Sequence, residues 1–187
     1  MKIRLARDLQ PDSIVDGEGI RTVIWTQGCI HNCFGCHNPE THSFTDGKLV
    51  DVEEVKKIIS SIDNQTGITL SGGDPMCQVE ACLEIAKYCQ SVDLNVWCYT
   101  GYTFETLLEM SVDRPNILEL LKNIDVLVDG KFRMEQKSLN LKFRGSKNQR
   151  IIDVAKSLKE KKACLIEKYI SEKSYKPLAT KNKHIYI

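Results

Sequence analysis

The chain predicts an α/β fold in which mostly parallel strands curl into an open partial barrel. Three observations carry that prediction. Short β-branched and aromatic runs alternate with stretches of helical periodicity between residues 20 and 128. Strand-helix-strand alternation implies right-handed crossovers and hence a largely parallel sheet. Glycine turns and a cysteine loop directly follow the strand runs, so the polar and ligating residues gather at the strands' carboxyl ends, where open α/β sheets bind ligands.

Taken in order, Ile20 to Thr26 reads as a buried strand that ends at Gly28 and feeds the cysteine loop. Asp51 caps a helix in which Val52, Val55, Ile58, Ile59 and Ile62 recur at helical spacing, with Glu54 placed to complete a capping box. Gly67 to Ser71 is a short strand. After Gly72-Gly73-Asp74-Pro75 a second helix runs from about Gln78 to Ser91, with Val79, Cys82, Leu83, Ala86 and Cys89 inward. Leu94 to Cys98 is the next strand, and the turn Tyr99-Thr100-Gly101-Tyr102 leads to a helix starting near Thr103 with Phe104, Leu107 and Leu108 on its apolar side. Arg114-Pro115-Asn116 interrupts it, Ile117 to Leu121 resumes helical character, and Ile124 to Val128 is a further strand ending at Asp129-Gly130.

The 187 residues are 42% hydrophobic and 27% charged, which suits one soluble globular domain. A formal net charge of +1 gives no bulk attraction to nucleic acid. The charged N-terminus, Met-Lys-Ile-Arg, lacks an apolar run for a signal peptide or membrane span, so a cytoplasmic location is expected. Composition shifts near residue 154: residues 1–154 hold the alternating elements, and 155–187 form a lysine-rich extension with nine Lys against three Glu. Ile151 to Leu165 is compatible with a helix, whereas Pro177 and Lys181-Asn182-Lys183 predict an irregular end. Such a run reads as a solvated face or tail, or as a contact for an acidic partner.

Cys29, Cys33 and Cys36 form a C-x3-C-x2-C run with no fourth cysteine nearby. Thiolates suit soft metal centres, and a cubane iron-sulfur cluster ordinarily takes four of them, so three leave one iron open to a small molecule. A structural zinc with His31, His37 or Cys77 as fourth ligand is the competing reading. Disulfides do not suit thiols in a reducing compartment. Cys77, Cys82, Cys89, Cys98 and Cys164 match no second cluster motif, and free cysteine packs as a small hydrophobe. His31 and His37 are loop positions with solvent or backbone partners in view, and His42 and His184 carry no motif.

The cysteine run followed by Ser71-Gly72-Gly73-Asp74-Pro75 resembles the radical S-adenosylmethionine superfamily. Asp16-Gly17-Glu18-Gly19-Ile20-Arg21 is similar to the Asp-Gly-x-Gly-x-Arg segment of its glycyl-radical activating enzymes. The runs Cys29-x-His31-x-Cys33-x-Gly35-Cys36-x-Asn38, Val96 to Tyr102, Val126 to Phe132 and Arg144 to Gln149 narrow the resemblance to the branch acting on anaerobic ribonucleoside-triphosphate reductase, over about residues 10 to 152. One departure is Gly35, where the wider superfamily prefers an aromatic; Phe34 precedes it.

That resemblance implies a [4Fe-4S] cluster on Cys29, Cys33 and Cys36, with S-adenosyl-L-methionine on the open iron. Gly35, Cys36 and His37 would meet its adenine side, Gly73 and Asp74 its methionine end, with Gly72 and Thr100 beside them. No side-chain acid or base is required, because cluster and cofactor supply the chemistry. It further implies an anaerobic oxidoreductase whose substrate is a protein, the reductase large subunit, and whose electron comes from a donor such as reduced flavodoxin, with neither nucleic acid nor membrane involved. Arg144, Gly145, Ser146 and Gln149 would close the sheet or meet the partner. The rivals are an activase of another glycyl-radical enzyme, a radical enzyme for a small molecule, and a zinc-stabilised binding module.

Overall fold

Four parallel strands make the centre of the sheet. In the computed structural model, which describes residues 1–170, these are β3 (Arg21–Thr26), β5 (Gly67–Gly72), β6 (Asn95–Tyr99) and β7 (Val126–Asp129), side by side in that order. Antiparallel strands flank them. On one side β1 (Lys2–Leu5) pairs with β3 and β4 (Lys48–Asp51) with β1, while β2 (Gln10–Ser13) also pairs with β3; on the other side β8 (Arg150–Asp153) pairs with β7. Strands β4 and β8 are the two ends of the order, so the sheet is not closed. Helices α1 (Val52–Ser60), α2 (Val79–Ser91), α3 (Phe104–Met110), α4 (Asn116–Lys122) and α5 (Val154–Glu160) follow or connect the strands. No helix among the described residues is long and apolar enough to cross a membrane.

The central strands are buried on both faces, as parallel strands usually are; all six residues of β3 are buried. Because side chains alternate along a strand, one face carries Ile24, Ile68, Leu70, Val96, Cys98, Leu127 and Ile152 against the helices. The other carries Trp97, Val126, Val128 and Ile151, which pack with Tyr169. Cys82 and Cys89 of α2 are fully buried on its inner face, and burial pushes the Cys89 thiol up to about 12.

The observed elements depart from the sequence reading in three places. Ile151 to Asp153 is strand, not helix, and the helix is confined to Val154–Glu160. The reason is two-fold periodicity: Ile151 and Ile152 are both buried but on opposite faces of the sheet, paired against Val128 and Leu127. Helix α1 is also shorter than its periodicity suggested. Ile58 is 38% exposed, Ile62 lies past the helix end, and the Asp51 carboxylate accepts from the Glu53 N–H at 3.2 Å in place of a reciprocal box with Glu54. Finally, β1, β2 and β4 were not foreseen. The irregular end expected around Pro177 and Lys181 to Lys183, and His184, lie outside the described residues.

Arg21 opens β3 and is a buried cation on the aromatic face. Its Nε donates to Thr69 Oγ1 at 2.7 Å, Nη1 to the Glu18 carbonyl at 3.0 Å and Asn95 Oδ1 at 3.2 Å, and Nη2 to the Asn95 carbonyl at 3.0 Å and to the Ile68 carbonyl. Its guanidinium lies 5.4 Å from the Trp97 ring centroid. Burial lowers its pKa to about 10, still far above neutrality. The fork therefore bolts the amino ends of three neighbouring strands together. Lysine cannot reproduce it, so Arg21→Lys is expected to lower stability by about 2–3 kcal/mol, read as a shifted denaturant midpoint with unchanged slope.

Candidate active site at the carboxyl ends of the strands

The three motif cysteines follow β3 on a loop that is anchored before it begins. The Gly28 N–H donates to the Thr41 carbonyl at 2.8 Å and the Cys29 N–H to the His42 carbonyl at 3.1 Å. The Gln27 amide donates to the carbonyls of Glu40 and Ser43, and the Gln78 amide donates to those of Gln27 and Arg4. The loop thus leaves the sheet in one fixed direction. Within it, the Cys36 N–H closes a turn on the Cys33 carbonyl at 3.1 Å. Two backbone N–H groups point at sulfur: His31 toward Cys29 Sγ at 3.5 Å and Asn38 toward Cys36 Sγ at 3.4 Å.

All three thiols are partly buried and line one cavity of about 190 Å³. Burial lifts the Cys29 and Cys33 thiols above their ordinary value, which disfavours the thiolate; a bound metal centre would favour it. Partly buried thiols with N–H donors aimed at sulfur suit ligation of an iron-sulfur cluster, whose properties those hydrogen bonds tune. Among the described residues, no three His, Cys, Asp or Glu side chains are grouped so as to hold a single metal ion.

Opposite the thiols sits the turn after β5. Gly72 has φ +100°, and a Cβ there would come 2.5 Å from the Thr26 carbonyl oxygen; a Cβ on Gly73 would come 2.3 Å from that of Gly28. The pair lets the turn cross the root of the cysteine loop backbone to backbone, fastened by Gly73 N–H to Thr26 at 2.8 Å and Asp74 N–H to Gly28 at 2.9 Å. The family resemblance places these glycines beside the methionine end of a ligand. Their first cause is this crossing, although both also line the cavity.

Asp74 does not line it. The carboxylate is fully buried and accepts from the Met76 N–H at 2.9 Å, Thr100 Oγ1 at 2.9 and 3.0 Å, the Gly101 N–H at 3.0 Å and His31 Nε2 at 2.7 Å. Of the residues the sequence singled out, Cys29, Cys33, Cys36, His37, Gly72, Gly73 and Thr100 meet at the cavity, while Asp74 and Gly35 lie outside its wall. Gly35 sits against Met134 and Phe132, and the His37 ring lies 4.8 Å from that of Phe132.

Other lining residues were less legible. Asp16 reaches the cavity from the loop before β3, held by the Ser13 hydroxyl at 2.5 Å. Phe132, Gly145 and Gln149 reach it from the β7–β8 connection. Gln149 shapes that connection: its Oε1 accepts from the N–H groups of Gly145 and Ser146, and its Nε2 donates to the Gly130 carbonyl at 3.1 Å. Arg144 turns inward, donating to the carbonyls of Gln149 and Tyr169. His31 has a carboxylate partner, not the solvent or backbone partner expected of it. The single run Arg144-Gly145-Ser146 with Asn148-Gln149 is the available signal for the connection; nothing local signals the pairing of His31 with Asp74. Cys77, pushed up to about 11 by burial, lies off the cavity.

Residues 15–152 match the family model described as a 4Fe-4S single cluster domain. The chain is 38% identical over 147 residues to the anaerobic ribonucleoside-triphosphate reductase-activating protein of Vibrio cholerae, covering 74% of this chain and 91% of that one. It is 36% identical over 147 residues to the protein of that name in Haemophilus influenzae, with the same coverage of 74% and 91%. The counterpart in phage T4 is 34% identical over 150 residues, 76% of this chain and 90% of its own.

Because four donor groups converge on one buried carboxylate, Asp74→Ala leaves them without an acceptor. The expected loss is about 2–4 kcal/mol, measured by anaerobic denaturant unfolding of the metal-free protein.

Proposed function

The chain belongs to the family of anaerobic ribonucleoside-triphosphate reductase-activating proteins, with an iron-sulfur cluster domain, and we propose that it generates a glycyl radical in its reductase. The observation that carries this reading is the joint one at the cavity: three thiols, not four, face a glycine turn across about 190 Å³. When bound, a [4Fe-4S] cluster would supply the electron for reductive cleavage of S-adenosyl-L-methionine, the chemistry needed to abstract hydrogen from a reductase glycine.

The chain's own residues would bind, orient and shield. Cys29, Cys33 and Cys36 would ligate the cluster, and the N–H groups of His31 and Asn38 at two of the sulfurs would stabilise the ligated, negatively charged form. Gly72 and Gly73 offer bare backbone to the methionine end, and Thr100 borders it. Asp74 contributes by holding that wall in place, since its carboxylate is already committed. Cys36 and His37, which line the cavity, would frame the adenine side, with Gly35 outside the wall against Phe132 and Met134. Asp16 stands on the opposite rim, beside the path of an incoming peptide. An open partial barrel of the radical S-adenosylmethionine type suits such a substrate, because an unclosed sheet leaves a side entrance.

The partners in this reading are the reductase large subunit and a one-electron donor such as reduced flavodoxin. The β7–β8 connection, which borders the cavity, exposes Lys131, Arg133, Lys137 and Lys142 against a single acid, Glu135. That charge suits an acidic partner, since complementary fields speed encounter.

Two outcomes check the reading. After anaerobic reconstitution, Cys29→Ala, Cys33→Ala and Cys36→Ala are each expected to lose most bound iron, whereas Cys82→Ala and Cys89→Ala keep it; equal iron in Cys33→Ala, or zinc in place of iron, would sink the cluster assignment. The reduced holoprotein with S-adenosyl-L-methionine is expected to give 5'-deoxyadenosine, and an electron paramagnetic resonance signal of a glycyl radical in its reductase. A radical raised in another glycyl-radical enzyme and not in the reductase would assign the chain a different substrate.

A further inference from the structure

We propose that His31 is a positioning residue that fixes the cysteine loop against the wall of Gly72, Gly73 and Thr100, and so sets where the open iron meets S-adenosyl-L-methionine. This rests on the function proposed above. His31 lies between the first two cysteines, and its side chain is only 5% exposed. Its Nε2 is 2.7 Å from Asp74 Oδ2. An ionised carboxylate only accepts, so Nε2 carries the hydrogen and donates.

The other donors to Asp74 come from elsewhere: Met76 from the turn after β5, Thr100 and Gly101 from the turn after β6. One carboxylate therefore joins three loops, and His31 is the cysteine loop's side-chain link to it. The root of that loop is already fastened by the backbone bonds at Thr26 and Gly28. The imidazole acts farther out, in the span that carries Cys29 and Cys33.

Steric contacts fix the ring as well as its proton. A Cβ on Gly101 would come 2.3 Å from His31 Cδ2, so the ring fills the place a side chain would need. Tyr102 meets it edge-on with centroids 4.6 Å apart. His31, Gly101 and Gly130 line both the cluster cavity and a neighbouring cavity of about 660 Å³, so the imidazole is part of the wall between them. Among the described residues, His37 has no comparable tie; it packs on Phe132. A ring held by one charge-assisted bond and two packed neighbours has little freedom, and displacement of the loop by about 1 Å is enough to cost a reaction roughly 100-fold.

The test compares two substitutions of similar size in the full-length, reconstituted holoprotein. Gln in His31→Gln can donate an amide N–H to Asp74, whereas Met in His31→Met cannot. Both are expected to bind as much iron as the unmodified protein. His31→Met is expected to bind S-adenosyl-L-methionine about tenfold more weakly or worse by calorimetry, and to lose the change that the cofactor makes in the electron paramagnetic resonance spectrum of the reduced cluster. His31→Gln should stay within about threefold and keep that change. Gly101→Ala, which pushes a Cβ into the imidazole while leaving His31 and every thiol in place, should reproduce the His31→Met spectrum.

Unmodified-like affinity and spectrum in His31→Met would overturn the proposal. Equal losses in the Gln and Met variants would overturn it too, since the donor would not matter. Should His31→Met lose iron, an unmodified response in Gly101→Ala would also overturn it, and a lost response would support it. Failure of the unmodified holoprotein to bind S-adenosyl-L-methionine would instead count against the proposed function.

Discussion

A carboxylate removed from water must be met by donors, and the site of this protein is arranged around the one at Asp74. Left unpaired, a buried charge costs several kcal/mol. Here the debt is met by the N–H groups of Met76 and Gly101, the Thr100 hydroxyl and the His31 imidazole. Those donors sit on three loops at the ends of three strands. Each can satisfy Asp74 only from one position, so the requirement to satisfy it dictates how the loops stand relative to one another. The same requirement takes Asp74 out of the cavity and leaves the glycine backbone beside it exposed to a ligand.

The opposite end of the sheet solves a complementary problem. Arg21 is a cation as buried as Asp74 is an anion, and it too is met by groups from neighbouring strands, through Thr69, Ile68 and Asn95. Around it Trp97, Phe143 and Tyr169 stack edge to face, with centroids 5.4 to 6.0 Å apart. The Tyr169 hydroxyl donates to Glu18 at 2.9 Å, which ties the segment after α5 to the loop before β3. With the carboxyl ends held by a buried anion and the amino ends by a buried cation, the parallel strands are constrained at both extremities, although the sheet itself never closes.

Much of this was legible in the residues. The central strands announce themselves because a strand buried on both faces has nearly continuous apolar or β-branched sequence, as Arg21–Thr26 and Val126–Asp129 do. The inner face of α2 follows from its spacing. The cysteine run and the Gly72-Gly73 turn are visible because few residue types satisfy such chemistry or such backbone geometry. Strands β1, β2 and β4 are four residues each, charged, and set only by pairing with distant partners, so their own composition says little. Ile151 and Ile152 of β8 are compatible with helix in the sequence because two consecutive isoleucines fit either period; only the pairing with β7 decides. His31 and Asp74 are 43 residues apart, and a motif records each residue without recording that they touch. Only the family resemblance implies ligand contact for Asp74; in the structure its buried carboxylate is met by donors of the protein itself.

The distribution of exposed groups extends the argument to what approaches the site. Phe34, at the tip of the cysteine loop, is 85% exposed, and Leu139 of the β7–β8 connection is 92% exposed. Single exposed apolar residues need no explanation, but these two lie on the segments that supply the cavity's thiols and its Phe132 and Gln149 wall. Ile14 and Val15, each 70% exposed, precede Asp16 on the other rim. The segments that line the cavity thus carry exposed apolar side chains, and the β7–β8 connection adds Lys131, Arg133 and Lys137. A small substrate would be served by an enclosed pocket, largely apolar with a few placed polar groups, that excludes water. Exposed apolar and basic side chains on segments that also line a cavity have the composition of a surface that a second protein covers, and on the proposed reading that protein is the reductase.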